Sequence, residues 1–446
     1  MRISNDTSSK DDRLTAISVA GFKSISCEQT LYIAPLTILA GANSSGKSSM
    51  MQPLLLMKQT LEAPYDPGVF LLDGPNVRFT KSDQILSFDR SDISSIFKVT
   101  LHSIFGAVGT SYVGNDVNSF DIHSVEYFSS FLKKIVFEKG MTKKELEKRA
   151  LQSERFSDES LSEIKYFVEI VRRCFLDIFA VSWIQGDEEI GDFFSESFFY
   201  IYNMIKISKN IIHLPGLRGN PERTYRTSNV GRSYPGTFEN YVASIIYYWQ
   251  QKNQEHIQII GRYLEALSLT TGVFATSIDA TQVEIKVGRL PKSTKSDTAD
   301  LVNIADVGVG VSQTLPVLVA LLAAEPGQIV YIEQPEIHLH PLAQYRLAAV
   351  IAEASKRGVL VIIETHSDIL IRGVQTLVAE GNLDPAIVKL HWFSRSPEDG
   401  STTVTCAELD ENGAFGDWPQ DFDMTALNAE KAYLDAVETR LSRDGK

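Results

Sequence analysis

Residues 35–49, Pro-Leu-Thr-Ile-Leu-Ala-Gly-Ala-Asn-Ser-Ser-Gly-Lys-Ser-Ser, constrain this chain more than any other segment. An apolar run, Leu36–Ala40, enters Gly-x-x-x-x-Gly-Lys-Ser and then a helix-compatible stretch from Met50 to Leu61. Glycines let the backbone curl so that successive N–H groups converge on an anion. The helix that follows points its positive end at the same place. Strand, loop and helix in this order form the phosphate-binding loop of a nucleoside triphosphatase. Asn43, Ser44, Ser45, Gly46, Lys47, Ser48 and Ser49 are therefore the expected ATP-binding residues. Lys47 reaches the β- and γ-phosphates, and the Ser48 hydroxyl is a ligand for Mg²⁺.

A chain of 446 residues has room for one large domain with insertions, or for two domains. Its 43% hydrophobic and 22% charged residues are those of an ordinary globular protein. No apolar run approaches the roughly 20 residues of a membrane span, and Met1 to Arg13 lack the apolar core of a signal peptide. The expected location is the cytoplasm. Cys27, Cys174 and Cys406 are scattered, with neither disulfide nor metal-site spacing. A net charge of −13 argues against nucleic acid held over the whole surface, although a local basic groove is compatible with it.

Periodicity divides the chain into four blocks. Residues 1–90 form an N-terminal ATPase half, with strands over Leu14–Phe22 and Leu31–Ile33 in an antiparallel layer. Residues 91–210 read as a mostly helical insertion, because Phe167, Ile170, Val171 and Phe175 fall on one helical face. No sustained heptads extend it into a coiled-coil arm. Residues 211–380 form the second ATPase half, with a helix expected over Phe238–Leu267 and a strand over Val283–Val287. Residues 289–300 are a polar loop. Residues 381–446 form a small C-terminal domain, in which Val388, Leu390 and Trp392 alternate in one strand and Val404 and Cys406 in another.

The second half carries a matching set of chemical groups. Ile329–Ile332 is a buried-strand signal that ends in Glu333-Gln334-Pro335-Glu336. An acid at that point can hold the water shell of Mg²⁺, which makes Glu333 the expected metal-side carboxylate. A second apolar run, Val359–Ile363, ends in Glu364-Thr365-His366-Ser367, and His366 can bond a γ-phosphate oxygen or the attacking water. Between them lies Asp306-Val307-Gly308-Val309-Gly310-Val311-Ser312-Gln313, which opens the apolar helix Leu315–Ala324 as another anion site.

With these motifs the chain resembles the ABC-type ATPase heads of RecF, SMC and OLD proteins. The resemblance implies an α/β P-loop fold, with a mixed central sheet, an antiparallel β layer, a helical insertion and a C-terminal extension containing a β-hairpin. It also implies that two heads sandwich two ATP molecules with Mg²⁺. Gly310, Ser312 and Gln313 then match the signature that meets the partner's γ-phosphate, although Leu-Ser-Gly-Gly-Gln itself is absent. A bacterial AAA subfamily is more similar still, through Phe22-Lys23-Ser24-Ile25, Arg218, Arg223, Pro316, His338-Leu339-His340-Pro341 and Asp368. The Asn412-Gly413 and Trp418–Phe422 patterns are similar to that subfamily's C-terminal domain of unknown function.

One departure affects mechanism. ABC heads of this type carry two consecutive acids, whereas Gln334 follows Glu333 here, so Glu336 is the nearest substitute for a general base. Gln84 stands where a sensor glutamine would reach the metal, or else is a solvated loop residue. His338 and His340 give too few ligands for a closed zinc site. Arg218, Arg223 and Arg226 would hold a phosphate or a partner's acid, or else sit in a solvated loop. No Toprim nuclease pattern follows His366. The expected protein is an ATPase, possessing a homodimer or an oligomer of dimers as its working form, that regulates a separate effector, a nuclease or toxin in anti-phage defence. The alternative is a RecF- or SMC-like ATPase that clamps DNA in repair or recombination. No membrane partner is expected.

Overall fold

The computed structural model describes residues 13–89, 92–93, 95–115, 119–129, 134–142, 145, 165–171, 178–185, 188–192, 204–228, 230–289, 300–416 and 431–440. In chain order come β1 (Leu14–Ala20), β2 (Gln29–Tyr32), β3 (Leu36–Gly41) and α1 (Lys47–Glu62). Strands β4 (Ile96–Ser103), β5 (Gly106–Gly114), β6 (Phe120–Ser129) and β7 (Ile135–Glu138) follow. Then come β8 (Lys165–Val171), β9 (Ile178–Gln185), β10 (Glu188–Asp192) and β11 (Ile212–Leu214). After α2 (Val242–Lys252) and α3 (Gln254–Ala266) the chain forms β12 (Val273–Ser277) and β13 (Gln282–Gly288). It continues through α4 (Val309–Ala323), β14 (Ile329–Glu333), α5 (Pro341–Lys356) and β15 (Leu360–Thr365). It closes on α6 (Asp368–Ala379), β16 (Val388–Arg395) and β17 (Thr402–Glu408).

The central sheet has the order β11-β14-β15-β3-β16-β17, parallel except for the last strand. Its inner strands are apolar at nearly every position because both faces are covered, as in parallel sheets generally. Alternation then sorts side chains between two cores. Leu39, Tyr331 and Ile362 face α1 and the antiparallel sheet, whereas Ile38, Val330 and Ile363 face the packed helices α2 to α6. The antiparallel sheet has the order β2-β1-β4-β5-β6-β7. Among the described residues no helix is long and apolar enough to cross a membrane.

Three sequence expectations are corrected. The 91–210 block is β-rich in its described part, with β4 to β10 where a mostly helical insertion was expected. Phe167, Ile170 and Val171 lie in β8, paired antiparallel with β9, while Phe175 lies outside the described residues. Val168, Ile170, Val181 and Trp183 are β-branched or aromatic, a composition that suits a pleated surface and outweighs the accidental helical spacing. Residue 90 is no boundary, since β1 pairs with β4 across it. Residues 388–408 are no separate domain either. The expected hairpin forms, but β16 pairs in parallel with β3 and completes the central sheet.

The expected Phe238–Leu267 helix is two helices, α2 and α3, divided at Asn253, whose φ of −150° and ψ of 71° leave the helical region. Most of the 289–300 loop and the Trp418–Phe422 pattern lie outside the described residues.

Candidate functional site: the phosphate loop and its carboxylates

The loop from Gly41 to Lys47 is built from unusual backbone. Ser44 has φ 61° and Gly46 φ 100°, both in the left-handed region. Gly46 has no substitute, because a Cβ there would lie 2.4 Å from Thr402 Oγ1. Thr402 opens β17 and supports the loop from behind. Its N–H donates to Ser24 O at 2.7 Å, and its Oγ1 lies 2.8 Å from Ser45 O. Ser24, from the Phe-Lys-Ser-Ile motif, thereby joins the N-terminal segment to the C-terminal hairpin. Lys47 Nζ donates to Gly41 O at 3.0 Å and Ala42 O at 2.9 Å. Burial lowers the Lys47 pKa, and the charges of Glu364 and Glu336 oppose that shift.

A cavity of about 830 Å³ opens over the loop. All seven predicted ATP-binding residues, Asn43 to Ser49, line it, joined by Lys23, Gln84, Gln334, Glu364 and His366. Arg395, Asp399, Gly400 and Ser401 of the β16–β17 turn form another wall, which sequence reasoning missed. Glu333 and Glu336 are not among the described residues that line it.

The four acids and amides behind the loop have distinct surroundings. Glu333 Oε1 lies 3.2 Å from His213 Nε2, and its Oε2 accepts Gly216 N–H at 3.0 Å. The Asn76 amide is 3.0 Å from His213 Nδ1, which leaves Nε2–H to donate to Glu333. Burial pushes the Glu333 pKa up, but the hydrogen bond from His213, then Gly216 N–H and the Arg218 charge, bring it below the ordinary value. Gln334 takes a left-handed φ of 46° and donates its N–H to Glu364 O at 2.8 Å. Glu336 Oε1 accepts from Thr365 Oγ1 at 2.7 Å and His366 N–H at 3.0 Å. Its Oε2 is buried without a hydrogen-bond partner among the described residues, and burial raises its pKa.

Glu364, which the sequence motif marks only as the residue before Thr-His, touches the loop. Its Oε2 accepts the Ser48 hydroxyl at 2.9 Å, and its Oε1 accepts the Tyr331 hydroxyl. Burial, then repulsion from Glu333, pushes its pKa up to about 7 against the Tyr331, Ser48 and Lys47 interactions. His366 is held below its ordinary pKa by burial and by Lys47, and so is neutral at pH 7. Gln84 lines the cavity, but its Oε1 accepts Thr80 N–H at 2.8 Å and caps its own turn.

The predicted signature residues open α4, and they do not line this chain's own cavity among the described residues. Ser312 Oγ donates to Val309 O at 3.0 Å. The structure turns Gln313 inward, where Nε2 donates to Gly219 O at 3.1 Å. Arg218 is buried beside it and donates to Gln313 O at 3.2 Å and Glu333 O at 2.8 Å. Arg223 forms an exposed pair with Asp306 at 2.7 Å. His340 caps α5, accepting Leu342 N–H. Among the described residues no group of three or more His, Cys, Asp or Glu could hold a metal. A divalent ion fits this site only as nucleotide-borne Mg²⁺, with Ser48 and one carboxylate completing a shell of phosphate and water oxygens.

An apolar strand entering a glycine-curled loop, a helix N-terminus, and acids at the ends of neighbouring parallel strands are the parts of a P-loop nucleotide-binding fold. Residues 36–372 match the family model described as "AAA domain, putative AbiEii toxin, Type IV TA system". That match covers well over half of the chain, and the chain belongs to this family. No curated protein matches it. Among solved structures it is similar to an SMC head with a coiled coil and joint from Pyrococcus yayanosii, at 11% identity and TM-score 0.46, covering 94% of this chain and 100% of that one. An SMC head bound to the C-winged helix domain of ScpA gives 14% identity and TM-score 0.44, over 90% and 98% of the two chains. The SMC head domain from Thermotoga maritima gives 11% and 0.36, over 89% and 100%.

Proposed function

We propose that this protein is a Mg²⁺-dependent ATPase that dimerises around two ATP molecules and thereby regulates a separate effector, a nuclease or toxin of anti-phage defence. The observation that carries the reading is the division of groups within one chain. The phosphate loop, Ser48, Gln334 and His366 share one cavity, while the Gly308–Gly310 entrance to α4 stands outside it, with Val309 49% exposed. A glycine-opened helix N-terminus of this kind suits the γ-phosphate held by a second copy.

Bound Mg²⁺ would neutralise charge developing on the β- and γ-phosphate oxygens. Lys47 holds those same phosphates through a buried cation. His366, neutral at the cavity wall, orients the terminal phosphate or its water. Gln334 can position that water but cannot take its proton. Slow turnover follows, with ATP serving chiefly to hold the dimer closed. The family's description by a toxin of a type IV toxin–antitoxin system supports a defence setting.

The test uses two variants, Lys47→Ala and Ser312→Arg, each expected to lack turnover. In a twofold-symmetric dimer, a freely exchanging equal mixture should regain about a quarter of wild-type turnover, since half the dimers carry one intact composite site. A mixture as inactive as its components, under proven subunit exchange, refutes the sandwich.

A further inference from the structure

Two carboxylates compete for the metal side of this site. The hydroxyl that follows the phosphate-loop lysine is a Mg²⁺ ligand, so an acid sharing the ion's shell must lie within reach of that hydroxyl. Glu333 and Glu364 are register partners on adjacent parallel strands, so both side chains leave the same face of the sheet. β15 pairs directly with β3, the strand that feeds the phosphate loop, and β14 lies one strand further out, about 4.8 Å. That single strand spacing separates their surroundings. Both Glu333 oxygens are engaged towards β11, by His213 Nε2 and Gly216 N–H. Glu364 instead lines the cavity and holds the Ser48 hydroxyl at 2.9 Å. Tyr331, whose ring stacks on His213 at 5.4 Å and 10°, donates its hydroxyl to the other Glu364 oxygen. The carboxylate is thus fixed at one oxygen and presents the other to the metal-binding hydroxyl.

We propose that Glu364, rather than Glu333, is the carboxylate that receives the Mg²⁺ carried by the nucleotide. Glu333 spends both oxygens on His213 and Gly216, on the side away from the Ser48 hydroxyl. The assignment rests on the nucleotide-binding reading of the cavity. It makes the sequence order of acids a poor guide here, because strand order decides which acid meets the loop.

The test measures affinity for a fluorescent non-hydrolysable ATP analogue, in Mg²⁺ and in EDTA, for the full chain. Wild type should bind more tightly in Mg²⁺. Glu364→Gln keeps an acceptor for Ser48 and should retain the EDTA affinity, while losing on the order of tenfold or more of the Mg²⁺ enhancement. Glu333→Gln should keep that enhancement. Mn²⁺ electron paramagnetic resonance on the analogue complexes gives an independent readout, with the immobilised signal lost in Glu364→Gln and kept in Glu333→Gln. If circular dichroism shows Glu364→Gln unfolded, Glu364→Asp replaces it, with the same expected direction. Loss of the enhancement in Glu333→Gln alone, equal loss in both, or retention in both overturns the assignment while leaving the nucleotide reading intact. A wild-type protein that binds no analogue in either buffer overturns both.

Discussion

Replacing Arg218 by Ala removes a buried cation that ties the entrance of α4 to the end of β14. Its guanidinium donates to Gln313 O at 3.2 Å and Glu333 O at 2.8 Å, with Gln334 O at 3.4 Å. Hydrogen bonds to a charged group contribute about 1.5–3 kcal/mol each, so the two shorter ones total roughly 3–6 kcal/mol before costs. Those costs are visible. Burial lowers the Arg218 pKa to about 10, and Arg218 Nε and Glu239 Oε2 are both buried without a hydrogen-bond partner among the described residues. Removing the cation also leaves Glu239 without the charge that offsets its own burial. The net loss expected for Arg218→Ala is about 3–5 kcal/mol, the range for breaking a buried pair by removing one partner. Arg218→Lys keeps the charge but loses the planar fork, and about 1–3 kcal/mol with it. Urea unfolding followed by circular dichroism measures both. A second readout separates anchoring from mere stability, since Arg218→Lys should lower ATP turnover more than nucleotide affinity. If Arg218→Ala unfolds within about 1 kcal/mol of wild type, the carbonyl bonds contribute little net and the reasoning fails.

Two further outcomes follow from the same geometry. Glu336 is not among the described residues lining the cavity, and it holds Thr365 Oγ1 and His366 N–H. Glu336→Gln should therefore preserve nucleotide binding, and only a loss of single-turnover hydrolysis on the order of 10² would support the sequence expectation of a general base. An unchanged rate would move the proton-handling role to His366, or to water positioned by Gln334. His391 is buried, with Nε2 donating to Tyr32 O at 2.8 Å and Nδ1 unpartnered among the described residues, and burial lowers its pKa to about 4. Its depressed folded-state pKa means that its contribution is complete above pH 6.5. That contribution should be lost as pH falls from 6.5 towards 4, up to about 3 kcal/mol, because only the unfolded chain takes the proton. Urea midpoints of wild type and His391→Gln across that range should converge as pH falls, and parallel profiles would exclude the histidine.

The parts of the fold governed by short-range patterns were legible in the chain. Continuous apolar runs gave β3, β14 and β15, and the glycine spacing gave the loop between β3 and α1. Features set by pairing partners far along the chain were not. Nothing local in Val388–Arg395 says that it lies beside Leu36–Gly41, yet that pairing turns a supposed separate domain into a wall of the nucleotide cavity. Glu364 was passed over for a related reason. Motif order ranks Glu333 first, whereas proximity to Ser48 depends on β15 standing between β14 and β3. Gln313 matched a signature by position, but the buried carbonyls of Arg218 and Gly219 draw its side chain inward. In β8 and β9, helical spacing and strand composition conflicted, and the β-branched and aromatic residues were the better guide.

The support that Thr402 gives to Ser45 has a consequence for synthesis. Translation runs from the N-terminus, and the strand beside β3 is made some 350 residues after it. A nascent chain halted before β16 already contains Gly41 to Ser49 but lacks Thr402 beneath the loop and Arg395 at its rim. Such a fragment has the motif without the cradle. Contacts this distant in sequence form late, because their loop-closure entropy must be met first. A growing polypeptide is therefore expected to hold a nucleotide only once β16 and β17 have joined the sheet beside β3.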